Sequence, residues 1–117
     1  LAAREGRIIN ISSIIASTGF HGLAAYAASK AGLEGLTRSL SREVGKMGIT
    51  VNCVAPGYME TEMTAGIDPH KMASIRRRAP LGLPSPDDAA GAVIYLLGPD
   101  GGHISGSVIT VDGGSTA

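Results

Sequence analysis

Arg7-Ile8-Ile9-Asn10-Ile11-Ser12-Ser13 is a short β-branched run closed by serines, the pattern of a buried strand. Residues Ile14 to Gly22 are rich in Ser, Thr and Gly and read as a loop. A long helix should follow, from about Ala24 to Met47. Its apolar residues Leu33, Leu36, Leu40, Val44 and Met47 are spaced by 3, 4, 4 and 3 and make one continuous stripe. Polar Glu34, Arg38, Ser41 and Arg42 lie away from most of that stripe. Gly48 is placed to end the helix in a left-handed conformation. Ile49 to Ala55 is a second strand, and the Pro56-Gly57 that follows cannot continue a ladder. Tyr58 to Gly66 reads as a polar, methionine-containing loop. Asp68-Pro69, a cap and a first-turn proline, starts a short helix to about Arg78. Ser85-Pro86-Asp87-Asp88 starts another, to about Leu97, with a Ser-x-x-Asp box and acids in the positive first turn. Ser107 to Val111 is the third strand, closed by Asp112-Gly113-Gly114.

Strands separated by long helical crossovers, with no hairpin signal between them, imply parallel pairing in a layered α/β fold. A parallel sheet is covered on both faces and a sheet usually has about 5–6 strands, so three are too few. The chain begins with Leu1, and Leu1-Ala2-Ala3-Arg4-Glu5 reads like the last turn of a helix already under way, stopped by Gly6. The expectation is a partial single domain over 1–117, with three strands, about four helices, and further strands before Leu1.

Composition narrows the function classes. Ten basic residues balance ten acidic ones in 117, and only 17% are charged. A surface that tracks phosphates would need a marked basic excess, so nucleic acid is not an expected partner. Aromatic residues at 3% leave no base-stacking platform. No apolar run approaches the ~20 residues that span a bilayer, and no signal-peptide pattern opens the chain, so no membrane partner is expected. The single cysteine, Cys53, cannot form an internal disulfide, which fits a reducing cytosol. A cytoplasmic location is the expectation. His21, His70 and His103 are scattered without ligand spacing, so no metal site is expected. Glycine stands at about twice its usual ~7% share, which points to close backbone approach.

Tyr26 and Lys30 stand four apart at the start of the long helix and so share a face. A free phenol is a poor acid or base at neutral pH. An ammonium one helical turn away favours the phenolate and brings a tyrosine toward the range useful for proton transfer. Ser13 ends the first strand at its carboxyl end, where ligands bind in open α/β sheets, and its hydroxyl could orient a carbonyl or alcohol. A Tyr-x-x-x-Lys pair alone is not diagnostic.

Here it is flanked by Asn10-Ile11-Ser12-Ser13 before it, by Tyr26-Ala27-Ala28-Ser29-Lys30-Ala31-Gly32 around it, and by Val51-Asn52-Cys53-Val54-Ala55-Pro56-Gly57 after it. Val111-Asp112-Gly113-Gly114 closes the series. In that order and spacing the chain closely resembles the C-terminal half of the short-chain dehydrogenase/reductase family, in particular its β-ketoacyl-carrier-protein-reductase-like branch. The resemblance covers essentially all 117 residues. It implies a Rossmann-type, doubly wound parallel sheet, of which this would be the C-terminal part. It also implies hydride transfer between NAD or NADP and a small-molecule carbonyl or secondary alcohol, including 3-oxoacyl-carrier-protein substrates.

The implied roles attach to individual residues. Tyr26 matches the proton donor or acceptor, and Lys30 matches the lysine that holds the nicotinamide ribose and tunes Tyr26. The family's serine lies thirteen residues before its tyrosine, which makes Ser13 the match and Ser12 not. Pro56 and Gly57 match the turn beside the nicotinamide, and Met59 and Thr61 the segment that contacts the carboxamide. Asn10 and Asn52 read as structural strand-end residues. The family's glycine-rich cofactor loop, ribose selector and strand-four Asn-Asn-Ala-Gly are absent, as is the helix asparagine of the proton relay. No two glycines stand at i and i+2, so no Gly-x-Gly-x-x-Gly occurs. Thr18-Gly19-Phe20-His21-Gly22 follows the wrong strand for that loop and is assigned to the substrate side. Cofactor choice is not readable, and this stretch alone is expected to be inactive.

Several features keep two readings. Arg76-Arg77-Arg78 suits either an acidic carrier protein or phosphate, or a solvated helix end beside the negative dipole terminus. Met59 and Met63 line a cleft or pack a lid. Ala25, Ala28, Gly32 and Gly35 form a small-residue helix face that suits packing on the sheet and, by the resemblance, the interface of a homo-oligomer. Two rival functions are an inactive, truncated, oligomer-forming relative and a serine hydrolase using Ser13. The hydrolase signatures Gly-x-Ser-x-Gly and Ser-x-x-Lys are both missing.

Overall fold

β-Branched runs at the start, middle and end of the chain form the strands of one parallel sheet. They are β1 (Gly6–Ile11), β2 (Ile49–Pro56) and β3 (Val108–Val111), in the spatial order β1-β2-β3. The computed structural model describes residues 5–59 and 68–117. Ile8 pairs with Val51 and Asn10 with Cys53, while Cys53 pairs with Val108 and Pro56 with Val111. Between β1 and β2 lie α1 (Ile15–Thr18) and α2 (Ala24–Val44), and between β2 and β3 lie α3 (Pro69–Arg77) and α4 (Pro86–Leu97). This is the expected layered α/β arrangement of Rossmann type. The reading of Leu1 to Arg4 as a helix tail, and of Glu60 to Gly66 as loop, falls outside the described residues.

Pleating sorts the side chains of the central strand. Ile49, Val51 and Cys53 face α2, where Ile49 and Val51 cluster with Val44, Ile8, Leu40 and Met47. Thr50, Asn52 and Val54, on the other face, are equally buried, and α4 reaches all three strands. Asn52 is structural, though it stands mid-strand rather than at a strand end: its Nδ2 donates to Ile104 O at 2.8 Å, and its Oδ1 accepts from Ser107 N at 3.0 Å.

The buried stripe of α2 differs from its sequence reading in one member. Leu36 is 53% exposed and Thr37 is fully buried. Thr37 stands nearer the middle of the arc that contains Leu33, Leu40 and Val44, and its hydroxyl is satisfied there. Thr37 Oγ1 donates to Leu33 O at 2.9 Å and accepts from Asn10 Nδ2 at 3.0 Å. Glu34 also turns inward rather than away. Ala25, Ala28, Gly32 and Gly35 are exposed, and a side chain at Gly32 or Gly35 would meet nothing within 4 Å, so this face does not pack on the sheet.

Most termini follow their local signals. A short 3-10 turn, Gly45–Met47, continues α2, and Gly48 ends it at φ 75°. Asp68 caps α3 by accepting from His70 N, and Ser85 and Asp88 close a capping box on α4. Two places depart from expectation. The Ser- and Thr-rich stretch after β1 contains α1, because Ser13 Oγ accepts from Ile15 N at 3.1 Å and so starts a turn that Gly19 stops at φ 66°. Pro56 stays in the ladder through its carbonyl, which accepts from Ile14 N at 3.1 Å, and Gly57 N donates to Val111 O at 2.8 Å. Only a donor is missing from proline, and this position needs an acceptor.

Candidate active site

The segments that follow the three strands converge on one cavity of about 620 Å³. Ile14 and Ile15 line it from the end of β1, Tyr58 from the end of β2, and Asp112 from the end of β3. Phe20, Leu23 and Tyr26 close one side, and Ile75, Arg78 and Leu83 the other. It is an apolar pocket at the carboxyl ends of parallel strands, the usual ligand position in such sheets. Thr18, Gly19 and Phe20, read as a substrate-side loop, are in its wall.

Tyr26 stands in the first turn of α2, 43% exposed, with its ring in the cavity wall. Lys30 lies one turn on, and its Nζ is 5.7 Å from the Tyr26 ring centre. That separation is within the range in which an ammonium is attracted to an aromatic face. Lys30 Nζ also donates to Ile11 O at 3.0 Å, so the helix face is tied to the end of β1. Ser13 is half-buried just past β1. Its Oγ accepts from Ile15 N, which leaves the hydroxyl hydrogen able to donate elsewhere. Ser13 and Lys30 flank the cavity rather than line it; Tyr26 is the member of the three in its wall.

The remaining sequence candidates divide. Pro56 and Gly57 are brought to this end of the sheet by their bonds to Ile14 and Val111. Met59 is half-buried and is not among the residues lining the cavity. Thr61 and Met63 lie outside the described residues. Ser12 is buried and donates to Glu34 Oε2 at 2.6 Å, while its neighbour Ser13 is half-buried and accepts from Ile15 N. Burial pushes the Cys53 thiol up, against a weaker lowering by Thr37, so it sits as a buried thiol rather than a reactive one. Among the described residues no group of three His, Cys, Asp or Glu could hold a metal ion.

One wall element was legible only as a strand end. Asp112 is buried, and its carboxylate accepts from Gly114 N at 2.9 Å, Thr116 N at 2.9 Å, Ser115 Oγ at 3.2 Å and Thr116 Oγ1. Desolvation pushes this carboxyl up, but the bonds from Thr116, Gly114 and Ser115 outweigh it and hold it below its ordinary value. The signal was there in Asp112-Gly113-Gly114-Ser115-Thr116, an aspartate able to bond backbone two residues on, followed by two glycines at φ 67° and 88°.

A short-chain dehydrogenase family model, described as Enoyl-(Acyl carrier protein) reductase, matches residues 1–116. The chain belongs to the short-chain dehydrogenase/reductase family. It is 43% identical over 112 residues to the 3-oxoacyl-(acyl-carrier-protein) reductase FabG of Vibrio cholerae, covering 95% of this chain and 46% of that protein. Identity to the same-named protein of Rickettsia felis is 48% over 112 residues, with the same coverage. For that of Chlamydia muridarum it is 42% over 115 residues, 97% of this chain and 46% of the relative. The chain thus spans about half the length of the curated relatives it matches. Within the described residues of this short-chain dehydrogenase/reductase, no helix is long and apolar enough to cross a membrane.

The donor set fits one end of a nicotinamide cofactor. A lysine ammonium carries three donors, and Lys30 gives one to Ile11 O, leaving two for the hydroxyls of a sugar. The Tyr26 ring, beside it, is accessible from the cavity. The pyrophosphate end is another matter, since the sequence holds no Gly-x-Gly-x-x-Gly turn to cradle it.

Proposed function

We propose that these residues are the catalytic half of an NAD(P)-dependent oxidoreductase that interconverts a carbonyl and a secondary alcohol, with 3-oxoacyl thioesters of a carrier protein as the favoured substrate class. The observation that carries this is the placing of Lys30 over Tyr26, with Tyr26 in the wall of an apolar cavity whose lining includes Ile14, the residue next to Ser13. The chemistry of that set is proton transfer to an oxygen whose carbon changes hydride count. When bound, the nicotinamide supplies the hydride to the carbonyl carbon. Ser13 Oγ donates a hydrogen bond to the substrate oxygen, and Tyr26 Oη gives that oxygen its proton; in the reverse direction Tyr26 takes it back. Lys30 holds the ribose hydroxyls with its two remaining donors and stabilises negative charge on the Tyr26 oxygen. Pro56, Gly57, Met59 and Thr61 would flank the nicotinamide. The residues that hold the pyrophosphate and choose between NAD and NADP belong to a preceding half of the domain, and the exposed face of α2 forms an interface between copies in a cytoplasmic homo-oligomer.

The test is NADPH and NADH consumption with a 3-oxoacyl thioester, in the complete protein and in the 117 residues alone. Turnover is expected in the first and not in the second. Absence of turnover in the complete protein would overturn the reading in favour of an inactive relative. Hydrolysis of an activated ester lost on Ser13→Ala would overturn it in favour of a hydrolase, although among the described residues Ser13 Oγ is held by a backbone amide and not by a histidine or lysine base.

A further inference from the structure

Three polar bonds join the last residues of β1, and Ser12 just after it, to one face of α2. Asn10 Nδ2 donates to Thr37 Oγ1 at 3.0 Å, Lys30 Nζ to Ile11 O at 3.0 Å, and Ser12 Oγ to Glu34 Oε2 at 2.6 Å. Asn10 and Ser12 share a face by the two-residue period of a strand, and residues 30, 34 and 37 share one by the helical i, i+4, i+7 spacing. The three bonds therefore form a row along the helix axis, and the row ends next to Ser13.

The members of the row are not equivalent. The Asn10–Thr37 bond lies deepest, farthest from Tyr26. The Lys30 bond runs through a long flexible side chain, and in the proposed reaction that ammonium serves the cofactor. Ser12–Glu34 is the short contact beside Ser13 that uses no group with a role in the chemistry. Ser12 is 3% exposed and the Glu34 side chain 12%. A carboxylate so placed needs its partner, and the charge-assisted bond it accepts is both stronger and more directional than apolar packing. Arg38, at 4.0 Å from the other Glu34 oxygen and 59% exposed, adds little. Ser12 Oγ also lies 3.5 Å from Lys30 O, so the same hydroxyl contacts the helix at the lysine itself.

We infer that the Ser12–Glu34 bond sets the register of α2 on β1, which makes Glu34 a positioning residue for Tyr26 and Lys30 relative to Ser13. This role rests on the proposed reading of the site. Sliding a helix by one residue moves it about 1.5 Å along its axis. Apolar side chains tolerate a fraction of that, whereas a misplacement of about 1 Å between reacting groups costs about 100-fold in rate. Glu34 thus acts through its neighbours and touches neither substrate nor cofactor.

The experiment compares Glu34→Ala, Glu34→Gln, Ser12→Ala and the Ser12→Ala/Glu34→Ala double variant in the complete protein, with kcat, substrate KM and melting temperature measured for each. The expected loss in kcat is about 10- to 100-fold for either alanine variant, with KM changed by no more than about threefold. The double variant should be no worse than either single one, the signature of two residues sharing one bond. Glu34→Gln should recover most of kcat, because its amide oxygen still accepts from Ser12. Three results would overturn the inference: a melting temperature that falls while kcat holds, a glutamine variant as impaired as the alanine one, or single losses that multiply. Each of these arises only in an active parent protein and leaves the reading of the site standing. A parent without turnover overturns that reading and this role together.

Discussion

The two ends of the sheet are built from different materials. At the amino end of β2, Val44, Ile49 and Val51 pack with Ile8, Leu40 and Met47, and the contacts are apolar. At the carboxyl end the same α2 meets β1 through Asn10–Thr37, Lys30–Ile11 and Ser12–Glu34, and the loops beyond close a cavity. Apolar burial is non-directional and supplies cohesion; hydrogen bonds supply geometry. One helix thus serves both purposes, its later turns holding the fold and its first four turns making the polar contacts that aim side chains.

The sharpest way to separate the ends is to remove one oxygen. Tyr26→Phe keeps the ring and should cut turnover of the complete protein by about 100- to 10,000-fold, the range of a lost general acid, with an unchanged melting temperature. Normal turnover would break the comparison at once. At the other end, Ile49→Ala empties part of a core in which Ile49 is 4% exposed. It should cost about 2–5 kcal/mol of stability, read by chemical denaturation, while the folded fraction keeps its kcat.

A smaller and pH-dependent effect is expected from Asp112. Its folded-state pKa is depressed, so its contribution is fully present above the ordinary carboxylate value of 3.8 and is lost as pH falls through the lower folded value. Melting curves from pH 7 into the acid range should therefore show a component that Asp112→Asn lacks. The smallest effect on the fold concerns the exposed face of α2. Leu36→Ser should change stability by no more than about 0.5 kcal/mol, yet reduce the oligomer mass seen by light scattering. Unchanged mass would remove that face from the assembly.

The amino end was the more legible in sequence. Strand and helix periods and the stop at Gly48 are local signals there, and the structure follows them, as it does the equally local caps at Asp68 and Ser85 on the cavity side. Leu36 and Thr37 exchanged places because a spacing of 3 or 4 leaves the edge of a stripe ambiguous, and a threonine can enter the core once its hydroxyl finds Leu33 and Asn10. At the carboxyl end, the spacing of Ser13, Tyr26 and Lys30 names candidates but does not say what ties them together. Ser12–Glu34 spans 22 residues and the Ile14–Pro56 bond 42, and no local pattern foretells either. Glu34 was read as an outward polar residue because its partner could not be seen from the helix alone.

Gly57 gives the cavity a mechanical asymmetry. A Cβ there would lie 2.6 Å from Asp112 Cβ and 2.8 Å from its Cα, while Gly57 N is already bonded to Val111 O. On the far side of the same turn, a Cβ on Gly113 would lie 2.0 Å from Gly82 O, and Leu81 N donates to Gly113 O at 3.0 Å. The chain at Gly57, at Asp112-Gly113 and at Leu81-Gly82 is thus packed so closely that neither Gly57 nor Gly113 has room for a side chain. The Ile14 to Phe20 wall is held instead by separate hydrogen bonds, from Ile14 N to Pro56 O, from Ile15 N to Ser13 Oγ and from Leu23 N to Phe20 O.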